Sequence, residues 1–301
     1  MADWPAATRP PADVSAAVKL SSPATREFWE IPVLFEDEHL LALDKPAGLL
    51  VSPEAETRVE ADVAAGERPN LMKLLHAGIA DGKPWARERN LTYLNNAYRL
   101  DDDTSGVILL AKDKPAHIAL ADLFGCGQPQ RKYVALVRGT LIEESFEVNA
   151  KIGPHPLKPG WMRVDKDNGK AAKTKITLLE NFTRAGYALV KCEPVTDRPH
   201  QIRVHLSHVD LPIVADELYG GKKLWLSRLK KDFRLKPGRE ERPLISRVAL
   251  HAEELSLMHP VTGETVTIKS EWPKDLKVAV KYLRQYATGF SRQRPEDSEQ
   301  E

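Results

Sequence analysis

Short hydrophobic runs, separated by polar turns that often contain Gly or Pro, recur along most of the chain and predict many β-strands. The predicted strands are IPVLFED (31–37), LLALDK (40–45), LLVS (49–52), VILLA (107–111), RKYVALVRGTL (131–141), KAAKTKITLLENF (170–182), YALVKCEPV (187–195), LPIVAD (211–216), SRVALHAEELSL (246–257) and ETVTIKS (264–270). Apolar residues at helical spacing predict helices at 69–80, from Asp113 to Gly125 or Gly127, at 198–209 and at 275–286. Because predicted hairpins outnumber βαβ units, we expect an α+β fold with a mixed, mostly antiparallel sheet flanked by helices.

The two ends of the chain lack this patterning. Residues 1–29 are rich in Ala, Pro, Ser and Thr, so we expect a flexible N-terminal arm that is too short to be a domain. Residues 288–301 are expected to be a polar, frayed tail. The patterned part, 30–287, is long enough to form one domain with its own core.

Charge and composition exclude several classes of protein. With 44 Lys and Arg against 43 Asp and Glu, the net charge of +1 excludes nucleic-acid binding by bulk charge alone, although a segregated basic face stays open. No apolar run reaches the ~18 residues of a membrane span, and the start of the chain lacks a secretory pattern. The two cysteines, Cys126 and Cys192, favour a reducing compartment over a disulfide scaffold. We therefore expect a cytoplasmic protein.

A first chemical candidate is YRLDDDTSG (98–106), which places an Arg and three carboxylates between two apolar strands. A rigid frame would hold exposed side chains there, and Asp101 directly follows the apolar Leu100. An ordinary polar turn with Thr-Ser-Gly chemistry would have the same composition. The residues alone leave both interpretations open.

A second candidate is VTDRPHQIRVHLSH (195–208), read as a short helix with Pro199 in its first turn. It would present a compact cationic face made by His200, Arg203 and His205. A solvated or packed helix face is the alternative. The histidine spacing fits no common metal motif, and HExxH and CxxC are absent, so we expect no metal.

A third candidate is the basic segment, residues 221–243, which carries nine Lys and Arg against three Asp and Glu. Leu224, Trp225, Leu226 and Phe233 are interleaved with these charges. The segment could bind the phosphates of a nucleic acid, or it could be a solvated surface. No GxGxxG, P-loop or GxSxG motif occurs, so nucleotide-cofactor and esterase chemistry have no support and we expect no cofactor.

Taken in order, five segments resemble the RluA-type pseudouridine synthases, which isomerise uridine in RNA. They are LALDKPAGLLVSP, RLDDDTSGVILLAK, RKYVALVRG, RPHQIRVHL with PIVADELYG, and LHAEELSLMHP, and the resemblance runs from about Val33 to Ile268. It implies a pseudouridine synthase-like fold with the active-site cleft on one face of the sheet. It also implies that Asp101 is the catalytic carboxylate, Tyr133 the active-site tyrosine and Arg203 the basic residue beside the carboxylate.

Three positions depart from the family pattern. Tyr98 stands where His is usual, Asp102 where a basic residue often follows the catalytic Asp, and Asp197 where Gly often precedes the Arg of the fourth segment. None of these removes a catalytic group. Together they suggest altered contacts with the RNA.

The resemblance also implies the partner. We expect a monomer that binds structured RNA, ribosomal rather than transfer RNA, with no metal and no membrane. The expected substrate-binding residues are Arg99, Thr104, Arg198, His200, Gln201, Lys222, Lys223, Lys230 and Lys231. Modification of transfer RNA and a non-catalytic RNA-binding role are the alternatives. A glycoside hydrolase would need two carboxylates across a cleft, and Asp102 and Asp103 are too close in sequence to supply them.

Overall fold

The structure is a computed structural model that describes residues 16–52, 69–236 and 238–287. Its strands are β1 (Ala17–Ser22), β2 (Glu27–Glu36), β3 (Leu40–Lys45), β4 (Asn95–Asn96), β5 (Ser105–Ala111), β6 (Gln130–Arg138), β7 (Ser145–Asn149), β8 (Ile152–Pro154), β9 (Met162–Val164), β10 (Lys173–Phe182), β11 (Tyr187–Pro194), β12 (Leu250–Met258) and β13 (Thr265–Lys269). Its helices are α1 (Leu71–Ala80), α2 (Pro84–Arg87), α3 (Lys114–Gly125), α4 (Gln201–His208), α5 (Leu226–Leu229) and α6 (Lys274–Ala287).

One sheet of eleven strands organises the described part of the chain. Its order is β1-β2-β3-β5-β12-β6-β11-β10-β7, with β4 beside β5 and β13 beside β12, while β8 and β9 form a separate hairpin. Within the described residues the pairing of β5 with β12 is parallel, and the other strand pairs are antiparallel. The expected mixed, mostly antiparallel sheet with flanking helices is therefore confirmed.

The parallel pairing of β5 and β12 at the centre of the sheet depends on a glycine. Ser105 lies opposite His251, and Gly106 lies opposite Ala252. Gly106 has a φ of +113°, and a Cβ there would overlap the backbone of Ala252. The Thr-Ser-Gly end of the first candidate motif is thus needed where the two strands meet, because only Gly combines this φ with so close an approach.

His251 adds a buried polar contact across the same junction. Its ring is fully buried, and Nδ1 lies 3.0 Å from the hydroxyl of Ser105. Burial lowers the pKa of His251 to about 4, so the imidazole is neutral at physiological pH. The contact joins strands that are far apart in the sequence.

The helices predicted from apolar spacing are present. Asp113 caps α3, since its side chain accepts a hydrogen bond from the backbone N–H of Ala116 at 2.8 Å, and the helix ends at Gly125 as predicted. The helix predicted at 198–209 begins only at Gln201, so Pro199 precedes it. Among the described residues, no helix is long and apolar enough to cross a membrane.

Three local predictions were wrong. Residues 16–29 were assigned to the flexible arm, but they form β1 and the start of β2, because Val18, Leu20 and Ser22 alternate inward. The predicted strands LLVS and LPIVAD each make one isolated bridge rather than a strand, through Leu50 and Ile213. The rest of the predicted arm, residues 1–15, and the predicted tail, 288–301, lie outside the described residues.

Candidate active site

Asp101 lies in the loop between β4 and β5, held between two buried neighbours. Leu100 and Thr104 are 4% and 2% exposed, and the Thr104 N–H donates to the Asp101 carbonyl at 3.1 Å. The carboxylate itself is 25% exposed. The Asp101 side chain is therefore accessible to a ligand, while the hydrogen-bonded loop before β5 keeps it in a fixed position.

Lys45, the last residue of β3, forms hydrogen bonds to the same loop from the protein interior. Its side chain is fully buried, and its ammonium donates to the carbonyls of Pro46, Leu49 and Asp102 at 3.0, 2.7 and 2.9 Å. Burial lowers the pKa of Lys45 to about 8, although the charges of Asp102 and Asp101 act in the opposite direction. The bond to Asp102 O joins the end of β3 to the backbone beside Asp101, and the other two bonds hold the turn that follows β3.

Arg203 of α4 lies between two carboxylates. Its Nε and Nη2 each donate to the carboxylate of Asp216 at 2.8 Å, and Nη1 donates to Asp101 Oδ2 at 3.2 Å. Burial alone would lower the pKa of Arg203, but the bonds to Asp216 and the charge of Asp101 raise it. The guanidinium is therefore a fixed positive charge beside the Asp101 carboxylate.

Tyr133 of β6 faces the same space and is 8% exposed. Its burial raises the pKa of the phenol, an effect that nearby Arg131 opposes and the charges of Asp197 and Asp101 support. The hydroxyl is therefore protonated at neutral pH. Tyr133 can stack on a flat group and donate a hydrogen bond there, but it is a poor free base.

Asp101, Tyr133 and Arg203 line a cavity of about 380 Å³, large enough for a nucleoside. The predicted site residues that line it are Arg99, Asp101, Thr104, Tyr133, Arg198, His200, Gln201 and Arg203. Residues from the loop before β5, from β6 and from the start of α4 thus meet in one place, as the family resemblance implied.

Some of these residues face the protein rather than the cavity space. The Gln201 amide accepts from Thr196 Oγ1 at 2.7 Å and donates to Lys173 O and Thr174 Oγ1, each at 3.0 Å. It is 5% exposed. Gln201 therefore has a role in joining α4 to β10, because its polar atoms are engaged by protein groups.

Of the two alternatives for α4, the structure supports a packed helix face and not a compact cationic face. His205 is fully buried, with its ring nitrogens 2.9 Å from Thr174 Oγ1 and 3.0 Å from Ala150 O, and burial lowers its pKa. Arg203 is likewise turned inward, onto Asp216. His200 precedes the helix at a φ of +53°, and its Nδ1 lies 2.7 Å from the Tyr219 hydroxyl. The helix thus packs its polar groups against partners.

The basic segment lies beside the cavity rather than in it. The only helix in the described part of the basic segment is α5. Leu224, two residues before this helix, is buried and forms an isolated β-bridge with Ile245. The Ala215 N–H donates to Lys222 O at 3.0 Å, which places this end of the segment next to Asp216. The four basic-segment lysines predicted to bind substrate, Lys222, Lys223, Lys230 and Lys231, do not line the cavity. Their side chains are exposed or half-buried.

Sequence reasoning missed three residues of the site, namely Asp216, Lys45 and Arg131. Each lies in a segment that the family resemblance includes, but each has the residue type of an ordinary surface group. Near-complete burial of a charged side chain identifies them, since Asp216 is 1%, Lys45 0% and Arg131 6% exposed. Buried charges are rare unless they are paired, so burial is the signal that only the structure supplies.

The departure at Tyr98 has a structural explanation. Its ring stacks on Phe124 of α3 at 4.3 Å, and its hydroxyl donates to Val107 O at 2.9 Å. It is 6% exposed. Tyr98 therefore belongs to the core beneath the loop, where its hydroxyl has a partner.

Comparison with known proteins agrees with this geometry. The family described as RNA pseudouridylate synthase matches residues 39–208. Ribosomal large subunit pseudouridine synthase D of Xanthomonas campestris is 36% identical over 90% of this chain and 75% of its own length. Ribosomal large subunit pseudouridine synthase C of Salmonella typhi is 33% identical over 85% of this chain and 70% of its own. Human RNA Pseudouridylate Synthase Domain Containing 4 has a similar fold, with a TM-score of 0.58 and 24% identity over 84% of this chain and 92% of that one.

Proposed function

The chain belongs to the RNA pseudouridylate synthase family, and we propose that it isomerises specific uridines of ribosomal RNA with Asp101 as the catalytic carboxylate. An RNA pseudouridine synthase is an isomerase. It breaks the bond between uracil N1 and ribose C1′, turns the base, and joins C5 to C1′. A proton leaves C5 and N1 gains one, so nothing is oxidised and no group is imported.

The contact between Asp101 and Arg203 carries the proposal. The 3.2 Å contact holds a partly exposed carboxylate against a buried, permanently charged guanidinium in the cavity wall. An ionised carboxylate can attack ribose C1′ or remove the 2′ proton to give a glycal. Both routes use the carboxylate that Arg203 holds at the cavity, so the same geometry serves either one.

Tyr133 is proposed to act as a neutral phenol. Its ring and hydroxyl border the cavity that holds Asp101, and its raised pKa keeps the proton on the oxygen. The ring can stack on the uracil while the base turns, and the hydroxyl can hold a carbonyl or pass a proton without becoming a phenolate. Loss of the C5 proton would then need an acceptor other than free Tyr133 phenolate.

The substrate has to enter the cavity as an extruded nucleotide. A uridine in a helix or tight loop is flipped out most readily where it is already unstacked. The basic segment next to Asp216 is placed to hold the flanking phosphates, together with the exposed Arg99 on the rim. Support for ribosomal RNA comes from relatives whose names specify the ribosomal large subunit.

Tritium release from RNA labelled at uracil C5 tests the proposal. Ribosomal and transfer RNA from a strain that lacks the protein are assayed separately, with wild type and Asp101→Asn. We expect release from ribosomal RNA by the wild type, none by Asp101→Asn, and RNA affinity within a few-fold for both. Full activity of Asp101→Asn would remove Asp101 from the mechanism. Release from transfer RNA alone would show that transfer RNA, and not ribosomal RNA, is the substrate. Binding without release from either RNA would favour a non-catalytic RNA-binding protein.

A further inference from the structure

Arg131 is a buried cation in the cavity wall that the isomerisation described above does not use. It precedes Tyr133 by two residues on β6, so both side chains leave the same face of the strand, and both line the cavity. Its side chain is 6% exposed, and its guanidinium carbon lies 6.0 Å from the centre of the Phe124 ring. The group is therefore held in place by packing.

The partners of Arg131 leave part of the guanidinium unsatisfied. Nη1 lies 3.0 Å from Asp197 Oδ2, and Nη2 donates to Thr196 O at 3.2 Å. The buried Nε–H has no hydrogen-bond partner among the described residues. Buried donors are nearly always paired, and an unpaired one next to a cavity is a candidate for binding a ligand.

Asp197 differs sharply from Arg131 in its surroundings. Its side chain is 53% exposed, although it forms an ion pair with an almost fully buried arginine. It also lines the cavity, between Thr196 and Arg198. An exposed carboxylate is well hydrated and can turn away from its partner at low cost, whereas the packed guanidinium cannot follow it.

We propose that Arg131 binds a phosphate of the RNA strand that enters the cavity, and that Asp197 occupies this phosphate position until the RNA displaces it. This inference rests on the proposed RNA substrate. A phosphate presents several acceptor oxygens to a planar guanidinium, so it can take the place of the carboxylate on Nη1. Asp197 thereby makes binding selective, because only a ligand that brings an anion to this point restores a charged partner to Arg131.

Equilibrium binding to a transcript of large-subunit ribosomal RNA tests the proposal in an Asp101→Asn background, where no turnover occurs. Asp197→Asn should bind about two- to fivefold more tightly at low salt, because the competing carboxylate is gone. The salt dependence should also become steeper, by up to about 0.7 in the slope of log K against log salt concentration, since displaced Asp197 no longer takes up a cation. Glu193→Gln removes a nearby charge on β11 that pairs with Lys191 and is the matched control. It should leave both quantities unchanged.

The gain must depend on Arg131. In an Arg131→Met background that retains cooperative thermal unfolding, Asp197→Asn should no longer tighten binding. Inorganic phosphate, compared with chloride at equal ionic strength, should raise the Tm of Asp197→Asn more than that of the wild type, whatever RNA is the substrate. Equal affinity of Asp197→Asn and wild type, an equal gain in Glu193→Gln, or a gain that persists without Arg131 would overturn the inference. The proposed isomerase activity would stand in each case, because tritium release measures it separately.

Discussion

Arg203 forms ion pairs with both Asp216 and Asp101. Replacement of Asp216 by Asn tests whether the first pair holds Arg203 in the fold while the second serves the reaction. Asp216 is 1% exposed, and both of its oxygens accept hydrogen bonds from Arg203 at 2.8 Å. Asn keeps the shape but loses the charge and one acceptor. A charge-assisted hydrogen bond contributes about 1.5–3 kcal/mol, and the remaining bond is weakened, so we expect a loss of roughly 2–4 kcal/mol in the free energy of unfolding.

That loss corresponds to a fall in Tm of roughly 4–16 °C for a domain of this size. The matched comparison is Asp101→Asn, whose carboxylate makes one contact of 3.2 Å with Arg203 and is 25% exposed. Because water can replace that contact, we expect a stability change below about 1 kcal/mol. Asp216→Asn should therefore lower Tm strongly and activity partly, whereas Asp101→Asn should abolish activity at nearly unchanged Tm.

Differential scanning calorimetry and urea unfolding measure the stability, and tritium release measures the activity, on the same preparations. An Asp216→Asn variant as stable as the wild type would refute the reasoning that this pair holds Arg203. An Asp101→Asn variant that loses as much stability as Asp216→Asn would show that both carboxylates act mainly in folding.

Three further perturbations test other parts of the structure. Changing the four basic-segment lysines to Gln should flatten the salt dependence of RNA binding, by about 0.7 in slope for each phosphate that the protein no longer neutralises, and an unaltered slope would make the segment a solvated surface. Lys45→Met removes one donor from each of three carbonyls, of which Asp102 O keeps the Gly48 N–H at 3.0 Å. It should lower the free energy of unfolding by roughly 2–5 kcal/mol and slow turnover, with the exposed Lys19→Met as a silent control in both assays. The pKa of His251 is about 4 in the folded protein. Below about pH 6.5 this imidazole therefore binds a proton in the unfolded chain, whereas in the folded chain it stays neutral until about pH 4. Urea unfolding should therefore show stability falling by up to ~3 kcal/mol between about pH 6.5 and 4, and His251→Gln should lack this component.

The sequence was sufficient for the parts of the fold that are specified locally. Helix α3 is fully described by its cap Asp113 and the glycine at its end, and the buried β5 by its run of β-branched and leucine residues. β1 was missed because its alternation of inward and outward residues extends over only six positions and uses Ala and Ser, which are also typical of loose segments. Two inward hydrophobic residues, Val18 and Leu20, are too few to establish the period of a strand.

The residues of the site also fall into two groups, those that sequence motifs indicate and those that only the folded structure identifies. Asp101, Tyr133 and Arg203 were identified from motifs with family-specific spacing, whereas the partner that fixes Arg203 was not. Asp216 lies in an irregular segment, where no periodicity indicates which side chains are buried. Lys45 precedes a Pro-Ala-Gly turn and has the pattern of a surface lysine, because its three carbonyl partners come from the turn itself and from Asp102. The bond from Lys45 to Asp102 spans 57 positions of the sequence, and only the fold brings these two residues together.

The parallel pairing of β5 and β12 has a consequence for the order in which the protein acquires its site. The bond between Ser105 and His251 joins residues that are 146 positions apart. During synthesis the local hairpins, such as β1 with β2 and β10 with β11, can pair as soon as their two strands have left the ribosome. The loop that carries Asp101 cannot, because β12 completes its supporting strand pair and is translated long afterwards. Loop closure over this distance is slow and entropically costly, so the nascent chain remains catalytically silent until its last quarter has been translated.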